Sequence, residues 1–200
     1  MPRFVFFSIL VSTLACRAPA SSDVAADEQP SVEKPSSTPD ERADVERLSD
    51  PFGPWDGVWK GNFQVKHGDE ILTELDVEQR YRSDGPEEQY GRFRERNVET
   101  GELVTATATN SVTPDGLRCE VTKSTDETVV HQGRLLGQGR IEWFRKNADL
   151  EEHFFERVFT DEQGRTWYTI EGWGRYGDGP KLDLVGRYQK VGGEPASFER

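Results

Sequence analysis

The sequence predicts an all-β fold: an antiparallel up-and-down β-barrel of about ten strands, preceded by a signal peptide and a disordered tether. Three observations carry this. From Gly57 onward apolar and polar residues alternate with period two, the spacing of half-buried strands. Turn signals rich in glycine, proline and aspartate break the pattern at near-regular intervals. No stretch keeps helical periodicity over three turns. A two-sheet sandwich is the alternative arrangement, but closure into a barrel removes the exposed edges that open sheets keep.

The chain begins with a targeting pattern. Arg3 is a short positive region, and Phe4 to Leu14 is an apolar run too short to span a bilayer. Thr13-Leu14-Ala15-Cys16 follows, small residues ending in a cysteine. This ending resembles the lipobox of bacterial lipoproteins, with Leu14 one position nearer the cysteine than is usual. The resemblance implies a signal peptide over 1–15 and an acylated Cys16 that anchors the protein in a lipid bilayer. Arg17 stands where a signal for inner-membrane retention has Asp. By the same resemblance, that implies a lipid-anchored place in the cell envelope, at the outer membrane of a Gram-negative bacterium. An ordinary secretory signal is the alternative. With Cys16 acylated, Cys119 is the one thiol left, and no intramolecular disulfide forms. Cys119 shares a strand face with Leu117 and Val121, which suits a buried structural thiol.

Residues 16–51 make the lipidated cysteine and linker. Arg17 to Asp50 is rich in Ala, Ser, Pro, Asp and Glu and has no aromatic residue, so it cannot bury enough apolar surface to offset its ordering entropy. As a coil it reaches roughly 30–35 Å. The formal net charge of −12 is spread over both parts of the chain. An acidic surface repels phosphate backbones, which argues against nucleic acid as a partner.

The domain, 52–200, starts at Trp55-Asp56-Gly57-Val58-Trp59-Lys60-Gly61-Asn62-Phe63. Trp59, Phe63 and Val65 share one face of the first strand, and Lys60, Asn62 and Gln64 share the other. Gly57 and Gly61 are expected to leave room for the Trp59 indole. Further strands are expected at Ile71 to Arg82, Gln89 to Val98, Leu103 to Val112 and Leu117 to Lys123. The second half repeats the pattern at Thr128 to Leu136, Arg140 to Arg145, Glu152 to Thr160, Arg165 to Tyr176 and Lys181 to Val191.

Gly57-Val58-Trp59 resembles the Gly-x-Trp of lipocalins and their calycin relatives, and Leu184 to Val191 resembles their closing strand. Asp161 to Trp167 is similar to uncharacterised lipocalin-like bacterial domains. In lipocalins an arginine of the closing strand packs over the first-strand tryptophan, which implies that Arg187 meets Trp59. Ten strands are nearer the fatty-acid-binding and nitrobindin-like branches. The chain lacks the helix pair of fatty-acid-binding proteins, and Arg187-Tyr188 does not match their Arg-x-Tyr. The resemblance implies a pocket for a small, mainly apolar ligand, lined by Trp59, Phe63, Trp143, Phe155 and Trp173.

Candidate polar residues complete the pocket. His153 shares a face with Phe155 and Phe159; the nitrobindin-like resemblance implies one axial histidine for haem, and a structural histidine is the alternative. No other cofactor is expected. His67 lies in a polar turn and His131 stands alone on its strand, without metal-ligand spacing. Glu171 shares a face with Trp167, Trp173 and Arg175, so Glu171 and Arg175 orient a polar ligand head if that face is internal. If it is external, they are an exposed ion pair. No nucleophile elbow, zinc motif, phosphate loop or dinucleotide fingerprint is present, so no catalytic residue is assigned. The expected function is therefore ligand binding. An envelope interaction module with a packed interior is second, and an enzyme third.

Overall fold

The computed structural model describes residues 50–192. The expected signal peptide, Cys16 and the linker before Asp50 lie outside the described residues. Ten antiparallel strands follow a single 3-10 turn, Gly53–Trp55. They are β1 (Gly57–His67), β2 (Glu70–Ser83), β3 (Glu88–Asn97), β4 (Leu103–Thr113) and β5 (Gly116–Lys123), then β6 (Thr128–Gly137), β7 (Arg140–Asn147), β8 (Leu150–Thr160), β9 (Thr166–Tyr176) and β10 (Lys181–Gly192). Each lies within a few residues of its predicted position.

Every strand pairs with its neighbours in sequence, and β1 pairs with both β2 and β10, closing the barrel. The sheet therefore has no free edge. Alternation then decides what faces in. Along β1, Trp59, Phe63 and Val65 are buried, while Lys60 and Lys66 meet solvent. A core of aromatic and aliphatic residues fills much of the lumen, including Trp55, Trp59, Phe63, Tyr168 and Tyr188.

Gly61 is a correction in reason. A side chain there would collide with the Arg187 backbone on β10, not with the indole. The glycine permits close approach of the strands that close the barrel.

The two ends of the lumen differ. Odd-numbered strands run away from the 3-10 turn, so their first residues mark one end and their last the other. At the first end Phe52 and Trp55 plug the barrel, both almost fully buried. At the far end stand Glu95, Lys123, Arg145 and Tyr176, near the ends of β3, β5, β7 and β9.

Candidate functional site

Trp59, Phe63 and Trp143 face the lumen, as expected, and all three are buried. The Trp59 indole N–H donates to the Trp55 carbonyl at 2.6 Å, tying the first strand to the plug. Its ring meets Tyr168 edge-on at 5.7 Å. Beneath the plug, the Gln89 amide donates to the Phe52 carbonyl at 3.0 Å and to Asp56 Oδ1 at 2.8 Å. Asn110 donates to Gln89 Oε1 at 3.0 Å. The Gln89 amide thus ties the plug to β3 and β4, while Trp55 Nε1 and Asn110 Oδ1 are left without a partner.

Above the plug the lumen holds a cavity of about 100 Å³. Phe63, Phe154, Ile170 and Leu184 line it with apolar side chains. Among them stand Glu95, Glu152, Glu156, His131 and Gln79, with Phe154 between Glu152 and Glu156 on the inner face of β8. Glu152 gathers donors from His131 Nε2 at 2.9 Å, Arg145 Nε at 2.6 Å and the Tyr176 hydroxyl at 2.8 Å. Burial works against its charge, but the His131 and Arg145 bonds outweigh it and hold the carboxyl below its ordinary range.

Glu156 and Glu95 differ. Burial pushes Glu156 up to about 7, although the hydrogen bonds from Tyr168 (2.6 Å) and Trp143 favour its charge. Burial also lifts Glu95 to about 7, against the pull of Lys123. Both are half-buried and line the cavity. The same holds for Cys119, whose thiol burial pushes well up. It lines the cavity and also packs against both hydrophobic clusters of the interior. Two buried polar atoms have no hydrogen-bond partner here, Gln79 Oε1 and Arg145 Nη2. Such orphans are uncommon in folded proteins.

The remaining candidates point outward, which corrects their expected placement. On β8 the inward residues are Leu150, Glu152, Phe154, Glu156 and Val158, so His153 and Phe155 lie outside. His153 Nε2 donates to Glu142 on the outer wall, so it cannot serve an interior haem. On β9, Tyr168 and Ile170 face in, and Glu171, Trp173 and Arg175 face out. Arg175 pairs with Glu151 at 2.6 Å rather than with Glu171. Trp173 carries the Lys181 ammonium over its ring at 4.1 Å. Arg187 also faces out and stacks on Trp167 at 4.4 Å. The cation over Trp59 is Lys190, at 5.4 Å.

The residues that sequence reasoning missed are Glu95, Glu152, Glu156, His131 and Gln79. A signal existed on β6, where His131 shares parity with Val129 and Gly133. Among the described residues, no group of three His, Cys, Asp or Glu is placed to hold a metal ion.

No protein-family model matches the chain, and no curated protein matches it. Several solved structures are similar in shape. One is a de novo designed fluorescence-activating β-barrel, with 14% identity over 68% of this chain and 93% of that one, TM-score 0.36. The S-type phycobiliprotein lyase CPES from Guillardia theta has 9% identity over 72% of this chain and 91% of that one, TM-score 0.46. EF1p2_mFAP2b bound to DFHBI has 12% identity over 72% of this chain and 99% of that one, TM-score 0.39.

Proposed function

We propose that the protein is a membrane-anchored cell-envelope binding protein, whose barrel takes a small ligand with an apolar body and a hydrogen-bond-donating or ammonium head. The observation behind this is the mixed cavity itself. Glu95, Glu152, Glu156 and the orphaned Gln79 Oε1 line the same cavity of about 100 Å³ as Phe63 and Phe154. A purely hydrocarbon ligand leaves the Gln79 oxygen dry and unpaired, which costs free energy. A donor-bearing head pairs it and meets the neighbouring carboxyls, while the rings hold its body.

Size narrows the class. A 150 Å³ apolar cavity holds benzene, so this smaller one, as it stands, holds a guest of about four or five heavy atoms. Larger guests enter by displacing the half-buried Phe93 and Phe154 rings. Entry is at the far end, because Phe52 and Trp55 seal the other. There the long Lys123 side chain bonds Glu127 at 2.7 Å and can rotate aside. Acylated Cys16 would hold the barrel at the outer membrane of a Gram-negative cell. The reading is one of binding without chemistry.

The test is tryptophan fluorescence of the full chain, titrated with isobutylamine and with its anionic counterpart isobutyrate. The amine is expected to bind and isobutyrate to fail, since the cavity wall is acidic. In Glu95→Gln/Glu156→Gln the preference for the amine shrinks. Native mass spectrometry of protein from its own host would then show the natural guest as an added mass lost on denaturation. A bare mass together with no response to either probe overturns the reading in favour of a packed interaction module.

A further inference from the structure

A second feature lies on the outer wall and is independent of the lumen. The ladder register places Arg140 opposite Arg157, Arg157 opposite Thr169, and Thr169 opposite Arg187. Across β7, β8, β9 and β10 these four form one row, all on the outward parity of their strands. The three arginines are exposed. Like charges directly opposite one another on neighbouring strands are destabilising.

Several other outward arginines have a carboxylate partner, although among the described residues Arg94 and Arg96 on β3 form no ion pair. Arg134 pairs with Glu142, Arg175 with Glu151, Arg165 with Asp161 and Arg118 with Glu120. The chain is acidic, with 37 Asp and Glu against 25 Lys and Arg, so carboxylates are not scarce. Yet among the described residues no carboxylate forms an ion pair with Arg140, Arg157 or Arg187. Two of the three are instead steadied by rings: Arg157 over Phe159 at 4.9 Å and Arg187 over Trp167 at 4.4 Å. Stacking of this kind fixes a guanidinium plane while leaving its N–H fork free.

The surroundings restrict what fits. The row lies in a shallow depression on the barrel wall, rimmed by the apolar side chains of Leu136, Phe155 and Val185. Those three are unusually exposed for their type, at 40%, 42% and 37%. A row of guanidinium forks with a hydroxyl between two of them suits an oxyanion with several acceptor oxygens, and the apolar rim suits a carbon chain attached to it. Glu171, one row away on β9, borders the depression and disfavours a second negative charge there. We propose that Arg140, Arg157, Thr169 and Arg187 form an external binding site for the phosphate group of an amphiphilic phosphate ester.

Two sources carry that chemistry, a lipid headgroup and free phosphate, and one experiment separates them. Binding to the full chain is measured by calorimetry with dihexanoyl phosphatidylglycerol below its micelle concentration and, separately, with inorganic phosphate. The ester is expected to bind at least about tenfold more tightly than phosphate, because it also covers the apolar rim. Arg157→Gln/Arg187→Gln is expected to weaken ester binding by about tenfold or more, through loss of charge-assisted hydrogen bonds. Raising salt should weaken it further. Equal affinity for both ligands, lost in the double variant, keeps the arginine row and makes free phosphate its ligand. Binding that the double variant leaves unchanged, or no binding of either ligand, overturns the site. Both substitutions are on the exposed wall, and an unchanged melting temperature shows that the variant is folded.

Discussion

The two ends of the lumen solve the problem of a barrel interior in opposite ways. At the plugged end, Trp55, Trp59, Tyr168 and Tyr188 pack ring against ring beside the buried Phe52, and the Gln89 amide joins Asn110, the Phe52 carbonyl and Asp56. At the far end and in the cavity between, carboxylates, a lysine, an arginine and a histidine share the same lumen. Apolar burial is non-directional and cumulative, so the plugged end supplies stability. Buried charge is costly unless it is fully paired, so the charged end is a place where the fold gives up stability. Retaining it makes sense where recognition is the purpose.

The largest effect that separates the ends is a truncation at the plug. Trp59→Ala removes a fully buried indole, its hydrogen bond to the Trp55 carbonyl and its edge contact with Tyr168. The expected loss is about 3–5 kcal/mol, or on the order of 10–15 °C in melting temperature for a domain of this size. Thermal melts by circular dichroism check it. A melting temperature within a degree or two of the parent's would mean that the plug does not anchor the barrel.

Next in size is the amide network beneath the plug. Gln89→Ala takes the amide donor from the Phe52 carbonyl and from Asp56, and takes the acceptor from Asn110. The Ser83 hydroxyl remains as a donor to Asp56, so the network is cut but not abolished. Leaving buried partners unpaired costs about 1–3 kcal/mol. Hydrogen exchange should show the amides around the 3-10 turn opening before those at the middle of β9. Uniform opening across the barrel would mean that the plug is not a separate unit of stability.

The contrast between the ends was only half legible in the sequence. β1 reads correctly because, Val58 apart, one of its faces is polar, so parity places Trp59 and Phe63 inside. β8 and β9 do not, because large apolar residues occupy both parities. On β8 Phe155 and Phe159 rival Leu150, Phe154 and Val158, and on β9 Trp167 and Trp173 rival Tyr168 and Ile170. The true inner face also carries Glu152 and Glu156, which look like surface residues. A one-residue change of parity moves every side chain to the other face, so the expected inward placement of His153, Phe155 and Trp173 fails together, and the open choice for Glu171 and Arg175 resolves to the outer face. Glycine was the overlooked signal. A side chain at Gly172 would collide with Phe154, and one at Gly174 would collide with the Tyr176 hydroxyl, because the inner face is crowded. Arg187 differs for another reason. The resemblance places it over Trp59, whereas its own parity turns it outward. The buried acids were out of reach, because nothing local distinguishes a carboxylate that will be held by His131 and Arg145 from one that meets water.

The charged end yields the smallest effect and the one with the opposite sign. Burial lifts both Glu95 and Glu156 from an ordinary value of 4.5 to about 7. Between those limits the folded chain holds protons that the unfolded chain has released. Stability from these two groups is therefore fully present below about pH 4.5 and is lost as pH rises through 7. Glu142 and Glu152 are shifted downward, so their contribution is lost only as pH falls below the ordinary carboxylate range. Glu95→Gln and Glu156→Gln keep the shape and, for Glu156, an acceptor for the Tyr168 hydroxyl, while removing the charge. At pH 8 each variant is expected to melt higher than the parent, by on the order of 5 °C, and at pH 4.5 to melt with it. Comparing parent and variant at the same pH cancels every other titrating group. A variant less stable than the parent at pH 8 would show that the carboxylate charge stabilises the fold there. The charged end would then be as much a part of the scaffold as the plug.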